Sequence, residues 1–111
     1  MKQQNKINSE FLDAAHAGDL SKLVSAKLDG ADVNAVHKTT GLQALHLAIA
    51  ADDLVMVRYL AEQCGAQFGP DGSGRWPSVV AAEYEVSEAV SDYVVEAEAA
   101  HLRKNGQLKP V

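Results

Sequence analysis

Gly41-Leu42-Gln43-Ala44-Leu45-His46-Leu47-Ala48-Ile49-Ala50-Ala51 is the stretch on which the reading of this chain turns. Gln43 to Ala51 is apolar at helical spacing but too short to stand as an isolated helix in water. Asp52-Asp53 interrupts it, Leu54 to Gln63 resumes the pattern, and Cys64-Gly65-Ala66 ends the pair. The same grammar continues outward. Upstream, Ser9 to Ala17 reads as a short helix with Ser9 as its N-cap, and Gly18-Asp19 breaks it. Leu20, Leu23, Val24 and Leu28 then mark a second helix, stopped by Asp29-Gly30. Residues 31–40 have no helical period and read as an exposed, hairpin-like connection. Downstream, the loop 67–77 carries Gly69, Gly72, Gly74 and two prolines. Ser78 to Tyr84 follows as a short helix and Ser87 to Lys104 as a long one. The long one keeps Ala89, Val90, Tyr93, Val94, Ala97 and Ala100 on one face.

Composition agrees with a single soluble domain of closely approaching helices. The chain has 111 residues, 47% of them hydrophobic but only 5% aromatic, so small residues must close the core. Fifteen acids against ten bases give a net charge of −5, the wrong sign for binding a phosphate backbone, and nucleic acid is disfavoured as a partner. One cysteine, Cys64, cannot form an internal disulfide, and the opening residues lack the apolar stretch of a secretory signal, so a cytoplasmic location is expected. No window is apolar enough for a membrane span.

The segments repeat. Gly41 matches Gly74, Ala48 matches Ala81 and Leu60 matches Tyr93 at 33 residues; Asp19-Leu20 matches Asp53-Leu54 at 34, and Gly30-Ala31 matches Gly65-Ala66 at 35. With Leu45-His46-Leu47-Ala48 in the second unit and Gly30-Ala31-Asp32-Val33-Asn34-Ala35 closing the first, the chain resembles the ankyrin repeat family. The third unit departs from that pattern: Trp76-Pro77-Ser78-Val79 stands where Thr-Pro-Leu-His is usual, Glu85 replaces the inter-helix glycine, and no Gly-Ala ending follows. The resemblance implies an all-α solenoid of stacked helix-turn-helix units with finger loops. The expected units span residues 9–40, 41–73 and 74–104, between a flexible start at 1–8 and a flexible tail at 105–111. Such units cannot bury their apolar stripes alone, so neighbours must stack and the terminal ones must act as caps.

The chain offers little for catalysis or cofactors. The resemblance gives His46 a hydrogen bond to backbone across the unit boundary, against a rival reading as base or metal ligand. His16 and His37 have no partner at zinc-ligand spacing. Cys64 reads as a small buried hydrophobe rather than a nucleophile. Gly69-Pro70-Asp71-Gly72-Ser73-Gly74-Arg75 lacks the Gly-Lys-Ser/Thr ending of a phosphate loop and the spaced oxygens of a calcium loop. No cofactor is implied, and an enzyme using Cys64 or His46 is the least favoured reading.

Family use implies protein binding through the finger tips and the inner helix face. Carried onto this chain, the contact positions are His16, then His37, Lys38, Thr39, Thr40, Leu42, Ala50 and Ala51, then Gly72, Ser73, Arg75, Trp76, Glu83 and Tyr84. Arg75, Trp76 and Tyr84 are residue types enriched at interface hot spots. Residues 77–100 carry six acids (Glu83, Glu85, Glu88, Asp92, Glu96, Glu98) and no Lys or Arg. This block is either a solvated cap or a steering surface for a basic partner, such as a toxin or enzyme that a small immunity protein would neutralise. A monomer or weak homodimer is expected.

Overall fold

The computed structural model describes residues 3–37 and 39–106, and among these it is all-helical: α1 (Gln4–Ala17), α2 (Leu20–Leu28), α3 (Ala44–Ala50), α4 (Leu54–Glu62), α5 (Pro77–Glu83) and α6 (Glu88–Lys104). Each odd helix packs on the even helix that follows it. The three hairpins lie side by side, with α1 against α3, α3 against α5, and a lighter contact between α4 and α6. The result is elongated, 50 × 28 × 25 Å. Lys38 and residues 107–111, part of the expected tail, lie outside the described residues. No described helix is long and apolar enough to cross a membrane.

The turns inside the hairpins share one construction. Asp19, Asp53 and Ser87 are the N-caps of α2, α4 and α6, each side chain accepting a backbone N–H three residues on, from Lys22, Met56 and Val90. Each cap satisfies a donor that the first helical turn leaves without an intrahelical partner. Just before them the chain turns through left-handed backbone at Gly18 (φ 72°), Asp52 (φ 56°) and Glu85 (φ 49°). Glycine takes that conformation at no steric cost; aspartate and glutamate do not. Asp52 is held there from outside its own hairpin, because its Oδ1 accepts the Ser87 N–H at 3.0 Å and the Ser87 hydroxyl at 2.8 Å. Glu98 on α6 likewise reaches back to the start of α5, accepting the Ser78 N–H at 3.0 Å and the Ser78 hydroxyl at 2.7 Å.

The decisive stretch sits at the centre. In α3 every residue except Ala50 is buried, since α1 covers one flank, α5 the other, and α4 the back. Phe11, Leu23, Leu45, Ile49, Met56, Leu60 and Val80 fill the core around it. The alanines of α3, Ala44 and Ala48, are fully enclosed, which is how a chain with so few aromatics brings helices close.

One boundary departs from the sequence reading. Residues 4–8 are helical, not flexible, and Ser9 lies inside α1 rather than capping it. Ile7 extends the apolar stripe of Phe11 and Ala14 back by a turn and is buried. Two polar side chains tie this turn to the loop after α2: Gln4 Nε2 donates to the Gly30 carbonyl at 3.1 Å, and Asn8 Oδ1 accepts the Asp32 N–H at 2.9 Å.

Candidate functional site

The two long loops, residues 29–43 and 63–76, project beside one another. In the first, Val36 pairs antiparallel with Gln43, the His37 N–H bonds the Leu42 carbonyl at 2.8 Å, and the Gly41 N–H bonds the His37 carbonyl at 2.9 Å. The tip closes on a side chain: His37 Nδ1 accepts the N–H groups of Thr39 and Thr40, each at 3.3 Å. In the second loop Asp71, 34 positions after His37, does the same work with a carboxylate. Its Oδ1 accepts the Ser73 N–H at 2.8 Å and the Arg75 N–H at 2.9 Å, while Arg75 Nε donates to Oδ2 at 3.1 Å. The Asp71 side chain is wholly buried, and the Arg75 guanidinium supplies its counter-charge.

The loops are clamped together. The Gly72 N–H donates to the Gly41 carbonyl, and Arg75 Nη2 donates to the Thr40 carbonyl, both at 2.9 Å. A side chain at Gly72 would meet Val36 at 2.9 Å and the Gly41 oxygen at 3.1 Å, so a larger residue would have to push Val36 aside and part the loops slightly. Arg75 also extends towards Glu83 on α5, at 3.9 Å.

The helix ends form a row beside the loops. His16, Ala50 and Glu83 occupy equivalent positions at the ends of α1, α3 and α5, followed by Ala17, Ala51 and Tyr84. His16, Ala17, Ala51, Glu83 and Tyr84 are exposed, and Ala50 is half-buried. Trp76 caps the start of α5 and Tyr84 its end, so these two mark opposite ends of one helix. A groove of about 420 Å³ separates the first half of α1 from the first loop, lined by Asn5, Asn8, Leu12, Val36, His37 and Thr39 among others.

Of the expected contact residues, Thr39, Thr40, Gly72 and Ser73 are exposed on the loops, while His37, Arg75 and Trp76 are half-buried. Leu42 is a correction: it is buried beneath the first loop and anchors it rather than facing outward. Lys38 lies outside the described residues. The sequence reading missed Asp71, set aside as an isolated oxygen ligand. The available signal was its register with His37, the side chain that closes the preceding tip.

His46 has no exposed surface and faces the second long loop. Backbone of Gly69 and Arg75 lies against its ring, but neither ring nitrogen completes a hydrogen bond of full geometry, so the bond expected across the boundary is not closed. Burial lowers the His46 pKa, with the nearby Asp71 carboxylate opposing that shift. Sealed in this way, the ring cannot touch a substrate. Cys64 is half-buried at the end of α4, and burial pushes its thiol pKa up, away from the thiolate a nucleophile needs. On α6, Tyr93 takes the Arg58 guanidinium over its ring at 6.0 Å, and Arg58 in turn pairs with Glu62 at 3.0 Å. Among the described residues no three His, Cys, Asp or Glu side chains converge as a metal site. A scan against protein-family models and a search of curated proteins return no match for the chain.

Proposed function

We propose that this chain is a short ankyrin-type solenoid that binds another protein by its loop tips and the adjoining row of helix ends, and acts by occupancy rather than catalysis. The observation that carries this reading is the clamp between the two long loops, set beside the exposed row of His16, Ala51, Glu83 and Tyr84. Rigid tips next to an open, mixed polar and apolar surface lose little entropy on binding. A face of roughly 600–800 Å² is enough for a specific complex. The hairpin order, the 33- and 34-residue register of caps and left-handed turns, and the central burial of Leu45-His46-Leu47-Ala48 support the repeat assignment.

The test compares capture by the native chain and by a Thr39→Ala, Ala51→Arg, Tyr84→Ala variant from the cell of origin, followed by titration of the purified partner. A partner held by the first and lost by the second, at equal melting temperature, supports the reading. A partner indifferent to all three changes removes it.

A second reading, a small cytoplasmic neutraliser of a basic toxin or enzyme, is favoured by the exposure of Glu83, Glu85, Glu88, Asp92 and Glu96. On this reading, reversing Glu83, Glu85 and Glu88 to lysine slows association and flattens its salt dependence. Unchanged association kinetics would count against it.

A further inference from the structure

The third hairpin repeats a docking face that the second one buries. One hairpin earlier, His46 and Ile49 on α3 have no exposed surface: the second long loop lies against His46, and α5 packs on α3. Their equivalents 33 residues on, Val79 and Ala82 on α5, are exposed, Val79 by 42%. On α6, Val90 and Val94 face the core and Glu98 turns to α5, which leaves Val95 on the same free side, 52% exposed. This free flank is bordered by acids: Glu88, Asp92 and Glu96 are exposed on α6 with no Lys or Arg between residues 77 and 100. Glu98 belongs to the same run in sequence but is engaged as the cap of α5.

Charge decides what can cover such a face. A second copy joined flank to flank would set Glu88, Asp92 and Glu96 against their own equivalents. Joined head to tail, it would meet the cleft between α1 and α2, where among the described residues Asp13 and Asp19 stand beside Lys22, so that face presents no basic stripe to the acids. Like charges brought together at an interface oppose association, and opposite charges steer it. The shape of the occupant follows from the equivalent face, which accepts helix α5.

We infer that the free flank of α5 and α6 docks a basic amphipathic helix of another protein, its apolar stripe on Val79, Ala82 and Val95 and its lysines or arginines on Glu88, Asp92 and Glu96. This surface shares no residue with the loop tips or the helix-end row, although Ala82 directly precedes Glu83 of that row. With the second reading it shares the sign of the partner's charge and the acids Glu88, Asp92 and Glu96.

The test titrates the full chain, labelled with nitrogen-15, with a synthetic leucine–lysine helical peptide about eighteen residues long, and with a counterpart carrying glutamate at every lysine. Saturable amide shifts centred on residues 78–82 and 91–99, absent with the glutamate peptide, are expected. Val79→Asn with Val95→Asn is expected to weaken binding about tenfold without changing the melting temperature, since both side chains are already exposed. Asp92→Lys with Glu96→Lys is expected to weaken it comparably. Four results overturn the inference: no saturable binding, shifts spread over the surface or centred on His16, Ala51 and Tyr84, equal binding by the asparagine variant, or self-association in sedimentation that the asparagine variant abolishes.

Discussion

Glu85 turns the chain at φ 49° with no hydrogen bond from a neighbouring hairpin to its side chain among the bonds described, whereas Asp52 at φ 56° is held by Ser87. Glu85→Gly should therefore raise stability by about 1 kcal/mol, read as a higher melting temperature. Asp52→Gly should gain less or lose, because the relief of strain is offset by the two Ser87 bonds it removes. Asp71 carries more. Asp71→Ala should cost about 3 kcal/mol, since it leaves Arg75 and two turn N–H groups without their acceptor, while Asp71→Asn should cost less by keeping the turn. Urea melts of the two variants separate these outcomes. His46 gives a pH dependence. With its folded pKa held below the ordinary 6.5 by burial, the unfolded chain binds more protons in that range, so stability is full above about pH 6.5 and falls as acid is added towards the folded pKa. His46→Leu should flatten that slope between about pH 7 and 5. An unaltered slope would place the acid sensitivity elsewhere.

Among the elements, α5, like α3, depends on what lies outside it. Seven residues make an intrinsically unstable helix, and this one begins at Pro77, whose fixed φ suits the first position, with Glu98 taking the next free N–H. Glu98→Ala should destabilise the third hairpin by about 1–2 kcal/mol and lower amide protection in α5 before α3, by hydrogen exchange. In the sequence Glu98 was one of six acids in an undifferentiated block, because a tertiary cap across 20 residues leaves no local trace. Helix positions were legible for the opposite reason. Asp19, Asp53 and Ser87 cap locally, and the apolar periods of α2, α4 and α6 are long enough to be read directly. The start of α1 was not, because residues 3–8 are mostly polar and their order comes from Gln4 and Asn8 reaching a loop more than 20 residues away.

For the whole molecule, stability is shared between neighbouring hairpins, so protection from exchange should peak at the centre. Residues 45–49 of α3 should exchange slowest, and the first turn of α1 and the last of α6 fastest; a maximum in α6 would contradict the packing described. At this scale the all-helical class could be read from period and composition, as could the exposed loop tips. The clamp between the loops could not, since it is built largely from backbone contacts that side-chain identity specifies at Gly41, Gly72 and Arg75 alone among its partners. Trp76, the single tryptophan, is half-buried where the second long loop enters α5. It is a natural optical reporter for that junction: its emission follows the seating of the last hairpin, while circular dichroism averages over all helices. A fluorescence transition at lower denaturant than the dichroism transition would mean that the stack opens from this end first, before the remaining helices melt.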